Sequence, residues 1–227
     1  MKIQILTIFP EVCRAVLGES ILKRAQEKRL VEIEAVDLRD WTADRHRSTD
    51  DAPYGGGPGM VMTIGPIDRA LAGLRKPESK VIFLSPQGRQ FSHKIADELS
   101  REPHLILLCG HYEGVDQRVC DHLVDDEISI GDYVLTSGVL PALVVTDAVV
   151  RLVPGVLGDL QSAVQDSFVA GRLDHPHYTR PENYRGWEVP GVLLSGNHGA
   201  IEKWRADEAE KITRNKRPDL SSGDTAP

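Results

Sequence analysis

The sequence predicts an α/β protein with a parallel sheet that is covered by helices on both faces. Segments with strand character alternate with segments of helical periodicity from Lys2 to Gly155, as in such sheets. The run Leu105–Cys109 is apolar at every position, which is typical of a strand buried on both sides. Glycine- or proline-containing loops follow several strands, and open α/β sheets bind their ligands at that edge.

The opening elements form a strand–helix–strand unit. Lys2–Phe9 alternates as a strand, and Pro10 is well placed to begin a helix that reaches Ile21. A second strand is predicted over Val31–Val36, and Arg39–Met62 is predicted to be a loop rich in Arg, Asp and Gly.

The later elements continue the alternation, and Ser92 is placed to cap one of the helices. They are a helix over Pro66–Leu74, a strand over Val81–Leu84, a helix from Ser92 to Arg101, the Leu105–Cys109 strand, a helix over Val115–Leu123 and a helix over Pro141–Leu152.

Composition divides the rest of the chain from this part. We expect an α/β domain over residues 1–157, a flexible linker over 158–174 and a further region over 175–227 that contains a final helix. Residues 176–190 show no clear period, and Asn197 is placed to cap the final helix. Residues 221–227 have the composition of a disordered tail.

Charge and cysteine content bear on nucleic-acid binding and on the cellular compartment of the protein. A net charge of −7 argues mildly against nucleic-acid binding, yet basic residues cluster at Arg45–Arg47 and from Lys203 to Arg217. Three cysteines without metal-ligand spacing favour a reducing cytoplasm, and no apolar run has the length of a membrane span.

Three strand-end loops are candidates for ligand binding: Ser85–Gly88, Gly110–Gly114 and Ile130–Gly138. Phosphate-binding patterns of the P-loop and Rossmann types are absent from the sequence. Backbone groups of such loops can hydrogen-bond an adenine edge while neighbouring apolar side chains pack on its ring. For any one loop alone, a simple tight turn is the better interpretation.

Taken together and in order, several motifs resemble one family. They are Pro53–Met60, Leu84–Gly88, Gly110–Asp116, Ser129–Leu135, Arg45–Arg47, Asp166–Phe168, His177–Glu182 and Leu194–His198. The sequence is similar to bacterial tRNA (guanine-N1)-methyltransferases of the SPOUT class from its first strand to about Arg217.

The resemblance implies features that periodicity does not show. It implies a SPOUT-type parallel sheet with a deep C-terminal trefoil knot, a small helical C-terminal domain that binds tRNA, and a homodimer whose active site lies at the interface. The implied reaction transfers a methyl group from S-adenosylmethionine to N1 of the guanosine at tRNA position 37, immediately 3′ of the anticodon. Mg²⁺ is a possible further cofactor with no site implied, and no membrane partner is expected.

The resemblance also places two catalytic roles. Asp166 would be the base that removes the N1 proton, and Arg151 would stabilise negative charge on O6. Without the resemblance, Asp166 reads as a helix cap or a solvated carboxylate. Arg151 then reads as one member of a surface ion pair with Asp147, one helical turn earlier.

Binding residues carry over position by position. The cofactor-binding set is Leu84, Ser85, Pro86, Gly110, Tyr112, Glu113, Ser129, Ile130, Gly131, Asp132, Tyr133, Val134, Leu135, Gly138 and Pro141. The substrate-binding set is Arg45, Arg47, Asp174, Arg180, Arg185, Ser195, Asn197 and His198. For Asp132, capping of its own loop is an equally good interpretation.

Other reactive or aromatic residues are better explained by packing. Cys109 ends a buried strand, and the three tryptophans Trp41, Trp187 and Trp204 are expected in the core. His175 and His177 are not expected to form a metal site, because no further ligand spacing supports one.

The sequence departs from the family pattern at His111, at Thr136–Val139 and in its short C-terminal part. Two other functions remain open from the sequence. One is a SPOUT relative that methylates a ribose hydroxyl, and the other is an RNA-binding protein that keeps the knot without catalysis.

Overall fold

The computed structural model describes residues 1–158 and 166–220. The chain divides into two compact units, Met1–Leu160 and Gln161–Pro227, and each is described by itself. Part of the predicted linker over 158–174 lies outside the described residues. The whole of the predicted tail over 221–227 also lies outside them.

The first unit is an α/β structure around a five-stranded sheet. Its strands are β1 (Lys2–Thr7), β2 (Glu32–Asp37), β3 (Asp50–Asp51), β4 (Val61–Met62), β5 (Ser79–Gln90), β6 (His104–Cys109) and β7 (Asp126–Ser129). Its helices are α1 (Pro10–Leu17), α2 (Ser20–Glu27), α3 (Ile64–Leu74), α4 (His93–Ser100), α5 (Gln117–His122) and α6 (Val139–Val150). The main sheet has the order β2-β1-β6-β5-β7, and all of its pairs are parallel. The predicted fold class, an α/β protein with a parallel sheet, is therefore confirmed.

Alternating side chains of the central strand β6 build two cores. Leu105 and Leu107 belong to the cluster that contains residues of α1, α2, α4 and α6. Ile106 and Leu108 belong to the cluster that contains residues of α3 and α5 on the opposite face. The uninterrupted apolar run is thus explained, because both faces of this strand are covered.

The structure corrects the predicted boundaries at several elements. The first helix ends at Leu17 near Gly18, and α2 begins at Ser20, whose φ is +49°. The sequence interpretation had merged the two helices because their apolar positions keep one period. Strand β5 continues to Gln90 instead of ending at Leu84, and β7 was predicted only as a strand end before Ile130, without bounds.

The region Arg39–Met62 was predicted to be a loop, but part of it forms a two-stranded antiparallel pair, β3 with β4. Leu38–Trp41 forms a short 3-10 turn before it. Met62 is fully buried, and its N–H donates to the carbonyl of Gly114 at 2.9 Å. This pair therefore attaches the preceding loop to the loop that follows β6.

Within its described residues, 166–220, the second unit has a small hairpin, two α-helices and a 3-10 turn over Pro218–Leu220. These elements are β8 (Asn183–Tyr184), β9 (Trp187–Glu188), α7 (Gly191–Leu194) and α8 (His198–Lys216). The predicted cap of the last helix is confirmed, because Asn197 Oδ1 accepts a hydrogen bond from the N–H of Ala200 at 3.1 Å. The hairpin was not predicted, since its strands have two residues each and leave no periodic pattern.

Among the helices of residues 1–158 and 166–220, none combines the length and the apolar character that crossing a membrane requires.

Candidate active site

A cavity of about 390 Å³ lies at the carboxyl ends of three neighbouring strands, β5, β6 and β7. Its walls come from the three loops that follow or interrupt these strands, together with the start of α6. This is the edge at which parallel sheets hold ligands, because consecutive loops converge there.

The first loop is a bulge in β5. Both Leu84 and Arg89 are aligned with Ile128 of β7, so the residues between them leave the ladder. A Cβ on Gly88 would lie 2.3 Å from the backbone nitrogen of Ile128, so only glycine allows this close approach. The bulge displaces Ser85–Gln87 towards the cavity, which they line.

The second loop turns sharply after β6. Tyr112 has φ +59° and Gly114 has φ +136°, and both values belong to the left-handed region that glycine favours. The N–H of Glu113 donates to the carbonyl of Met60 at 3.0 Å, which ties the loop to the segment before β4. Backbone groups of Gly110–Gly114 are thereby held at the cavity wall.

The third loop follows β7 and returns across the end of β6. Ser129 Oγ accepts a hydrogen bond from the N–H of Gly131 at 3.2 Å, and Gly131 has φ +147°. The N–H of Gly138 donates to the carbonyl of Gly110 at 2.8 Å. A Cβ on Gly138 would lie 2.8 Å from the Cα of Cys109, so the two chain segments are in direct backbone contact.

The structure brings the predicted cofactor residues together with one exception. Asp132 is exposed and does not line the cavity, which favours the alternative that its carboxylate serves only its own loop. The residues that do line it are Leu84, Ser85, Pro86, Gly110, Tyr112, Glu113, Ser129, Ile130, Gly131, Tyr133, Val134, Leu135, Gly138 and Pro141. Which ligand they hold remains a prediction.

Several lining residues were missed from the sequence. Gln117 and Cys120 come from α5, whose approach to the cavity leaves no local signal. His111 had been noted only as a departure from the family pattern. Its ring packs edge-on against Phe9 and Tyr112, with centroids 4.9 Å and 4.5 Å away, and its buried Nδ1 has no hydrogen-bond partner among the described residues.

Burial raises the pKa of two groups at the end of β6 and in the loop that follows it. Burial raises the pKa of the Cys109 thiol well above its ordinary value, with Cys13 a lesser cause. The thiol is therefore protonated and packed in the core, as predicted. Burial is also the first cause that raises the pKa of the Tyr112 phenol, followed by Asp50.

The two predicted catalytic residues lie in different units. Arg151 is half-buried directly after α6, and its backbone N–H donates to the carbonyl of Asp147 at 3.2 Å. Asp166 is half-buried, and its backbone carbonyl accepts a hydrogen bond from the N–H of Val169 at 3.4 Å. The roles of both residues remain predictions.

The predicted substrate residues fall into two groups. Arg45, Arg180, Arg185 and His198 are exposed on their units. Arg47 is also exposed but pairs with Asp37 at 3.8 Å and with Asp40.

The other substrate candidates have structural bonds. Ser195 Oγ donates to the carbonyl of Val192 at 2.7 Å, and Asn197 caps α8. Asp174 Oδ2 lies 2.8 Å from Nε2 of His177. Each of these three side chains therefore already has a partner within the protein.

Asp174, His175 and His177 place one ligand atom each within 4.8 Å of one another. Burial acts to raise the pKa of the Asp174 carboxyl. Hydrogen bonds from His177 and from the N–H of His175 act more strongly in the opposite direction, so the pKa is lowered overall. Two imidazoles do not suit Mg²⁺, which prefers oxygen ligands. This cluster thus gives no site for the implied Mg²⁺.

One aromatic prediction is wrong. Trp187 is 72% exposed on β9 and lies outside any core. Its ring centroid is 6.0 Å from that of Tyr184, the partner residue on the two-stranded hairpin. The hairpin is too small to bury an indole. Trp41 does pack against a core cluster, and Trp204 is half-buried near Tyr178.

Comparisons with known proteins identify the family of this chain. The family model described as tRNA (Guanine-1)-methyltransferase TrmD matches residues 1–223. Proteins named tRNA (guanine-N(1)-)-methyltransferase from Bacillus cereus (strain AH820), Bacillus anthracis (strain CDC 684 / NRRL 3495) and Bacillus thuringiensis subsp. konkukian (strain 97-27) are each 56% identical to this chain over 223 residues. Each match covers 97% of this chain and 91% of the relative. The chain therefore belongs to the tRNA (guanine-1)-methyltransferase family.

Proposed function

We propose that the cavity binds S-adenosylmethionine and that the protein transfers its methyl group to N1 of the tRNA guanosine immediately 3′ of the anticodon. Family membership supports a tRNA guanine-N1 methyltransferase. The observation that carries the cofactor assignment is the convergence of three loops on one cavity.

The lining fits an adenosyl group. Leu84, Leu135 and Pro141 offer apolar surface for a purine ring, and the backbone groups of the glycine turns at Gly110 and Gly131 offer hydrogen bonds to its edge. The carboxylate of Glu113, also in the lining, is an attractive partner for a positively charged sulfonium or amino group. When bound, S-adenosylmethionine supplies an activated methyl group that needs no further electrophilic help.

The remaining task of the protein is to prepare guanine N1. We assign Asp166 as the base that accepts the N1 proton, because N1 carries a hydrogen in the neutral base and must expose its lone pair. We assign Arg151 to donate hydrogen bonds to O6, where negative charge gathers as the proton leaves. Placement of the two reactants accounts for the rest of the acceleration.

We also propose the trefoil knot of the SPOUT class. The backbone contact between Gly138 and Gly110, with 2.8 Å between nitrogen and oxygen, supports it, since the third loop then passes across the end of β6. A knot requires such a crossing, and periodicity alone never reveals it.

A homodimer is the proposed assembly. Helix α1 packs against α6, and both helices expose apolar side chains on the same side of the sheet. Val12 and Val16 lie one turn apart on α1, and Leu140 and Val144 lie one turn apart on α6. A paired apolar surface of this kind favours burial against a second copy of the chain.

The second unit is proposed to contact tRNA through Arg180 and Arg185, whose exposed guanidinium groups suit phosphate oxygens. Cytoplasmic location follows from the tRNA substrate. Mg²⁺ is retained as a possible requirement, with no residues assigned to it.

Product analysis tests the proposal. Purified protein is incubated with methyl-labelled S-adenosylmethionine and one of two tRNA transcripts, with guanosine or adenosine 3′ of the anticodon. Digestion and mass spectrometry are expected to find N1-methylguanosine in the first transcript and no labelled nucleoside in the second. Label on a ribose hydroxyl would support a different SPOUT reaction. Binding of RNA without any labelled product would support a non-catalytic protein.

A further inference from the structure

The residues of the glycine-rich motif Pro53–Met60 are not among those that line the cavity, and the proposed chemistry assigns them no role. The N–H of Gly56 donates to the carbonyl of Pro53 at 3.2 Å, which closes a tight turn. Gly55, the third residue of this turn, has φ +84°, as a type II turn requires at that position. Tyr54 therefore occupies the outer corner of the turn.

Tyr54 is fully exposed and is the most exposed large hydrophobic residue among those described. A Cβ built on Gly55, Gly56 or Gly57 would contact nothing, so both the ring and the following backbone face open space. An aromatic ring held in water gains nothing for folding, because no apolar area is buried. Its position instead suits a partner that arrives from outside.

The motif is fastened to the rim of the cavity. Its last residue, Met60, accepts a hydrogen bond from the N–H of Glu113 at 3.0 Å, and Glu113 lines the cavity. A Cβ on Gly59 would lie 2.4 Å from Oε1 of Glu113, so the backbone touches this side chain. Tyr54 and Gly59 are five positions apart in the sequence, so their Cα atoms lie within about 18 Å of each other.

Charge indicates what this ring can bind. The segment from Asp50 to Met60 has two carboxylates and neither lysine nor arginine. Phosphate groups are not attracted to such a segment, whereas the uncharged face of a nucleobase can stack on tyrosine. Sequence-specific RNA recognition commonly uses unpaired bases that stack on aromatic side chains.

We propose that Tyr54 is a stacking platform for an unpaired base of the RNA substrate, next to the nucleotide that enters the active site. This inference rests on the proposed function, because it takes tRNA as the substrate. The glycines after Tyr54 allow the RNA backbone to pass close to the loop. The ring holds a neighbouring base and so positions the target guanosine.

Equilibrium binding of a fluorescent anticodon stem-loop to the full chain tests this proposal. Tyr54→Ala is expected to weaken RNA binding about tenfold, within the roughly 5- to 150-fold range that corresponds to losing one base–aromatic stack. Tyr54→Phe keeps the ring and is expected to bind within twofold of wild type. Tyr54→Leu is apolar without a π face and is expected to resemble Tyr54→Ala.

Calorimetry with S-adenosylmethionine and thermal unfolding complete the comparison. Both are expected to be unchanged in all three variants, because Tyr54 is fully exposed and buries no apolar area in the folded protein. Wild-type RNA affinity in Tyr54→Ala would overturn the proposal, as would a loss in Tyr54→Phe equal to that in Tyr54→Ala. Product analysis of the wild type in the same preparation reports on the methyl-transfer reaction separately.

Discussion

In the proposed reaction Asp166 carries the largest chemical demand among the single residues, because it is the group assigned to take the N1 proton of guanine. Asp166→Asn keeps the shape of the side chain but removes the basic oxygen. We expect turnover to fall about 10²- to 10⁴-fold. Affinity for S-adenosylmethionine is expected to stay within twofold, because the cavity belongs entirely to the first unit. Single-turnover methyl transfer together with calorimetry measures the two effects.

The control for this variant is Asp219→Asn, which removes an exposed carboxylate of the same unit that pairs with Arg217. Its turnover is expected to be that of wild type. Near-normal turnover in Asp166→Asn would remove Asp166 as the base and leave the second unit without a catalytic assignment.

Asp116 links ionisation to stability at the start of α5, an element that lines the cavity. A side-chain hydrogen bond from Arg118 is the first cause that lowers its pKa, from 3.8 to about 2. The native pKa lies below the unfolded value, so this carboxylate stabilises the fold above about pH 4. That stabilisation is lost as the pH falls towards 2.

Asp116→Asn keeps an N-cap oxygen and removes the charge. We expect a free energy of unfolding about 1 kcal/mol lower at pH 6, because exposure of Arg118 screens the pair. The difference from wild type should shrink below pH 4. Urea denaturation across this range measures it, with Asp97→Asn in the exposed Asp97–Arg101 pair as a control of little effect. A difference that does not change with pH would refute the assignment to charge.

Gly138 is the point at which the third loop and β6 meet. Its φ of −72° suits any residue, so the requirement for glycine is steric. Gly138→Ala would place a methyl carbon 2.8 Å from the Cα of Cys109 and force the two segments apart. We expect a loss of about 1–3 kcal/mol in unfolding free energy and weaker binding of S-adenosylmethionine.

Urea denaturation and calorimetry test this prediction. The matched control is Gly158→Ala, where a Cβ meets no atom within 4 Å, and neither property should change. Unchanged cofactor affinity in Gly138→Ala would mean that the loop contact does not shape the binding site.

Elements differ in how far the sequence could predict them. Strand β6 was predictable because its run Leu105–Cys109 is apolar at every position and lies between two cores. The bounds of strand β7 were not predictable, because it has only four residues and begins with Asp126 and Glu127. The exposure of Trp187 was not predictable, since composition favours burial of an indole and the hairpin has no core.

Most of the loops that line the cavity could be predicted from the sequence. The glycine turns Gly110–Gly114 and Ile130–Gly138 have sequence motifs, and the structure places both in one cavity. Gln117 and Cys120 were missed because helix packing, which is a long-range effect, brings them there. Asp132 was included because it lies within a motif, although its side chain is exposed.

At the scale of the whole molecule, the proposed dimer depends on the apolar surface of α1 and α6. Val144→Glu puts a charge in the middle of that surface, and we expect a monomer by light scattering and a loss of methyl transfer. Burying an unpaired carboxylate at an interface costs several kcal/mol, which is enough to separate the subunits.

The control is Ala72→Glu, which adds the same charge at an exposed position of α3 on the opposite face of the sheet. It should remain a dimer with full activity. A Val144→Glu protein that stays dimeric would place the interface elsewhere.

The proposed cofactor site is the central claim about this protein. A crystal structure grown with S-adenosylhomocysteine tests it most directly. We expect the adenosyl group in the cavity, in contact with the backbone of Gly110–Gly114 and Ile130–Gly138 and with the side chains of Leu135 and Pro141. A ligand bound away from these loops in a catalytically active preparation would contradict the account.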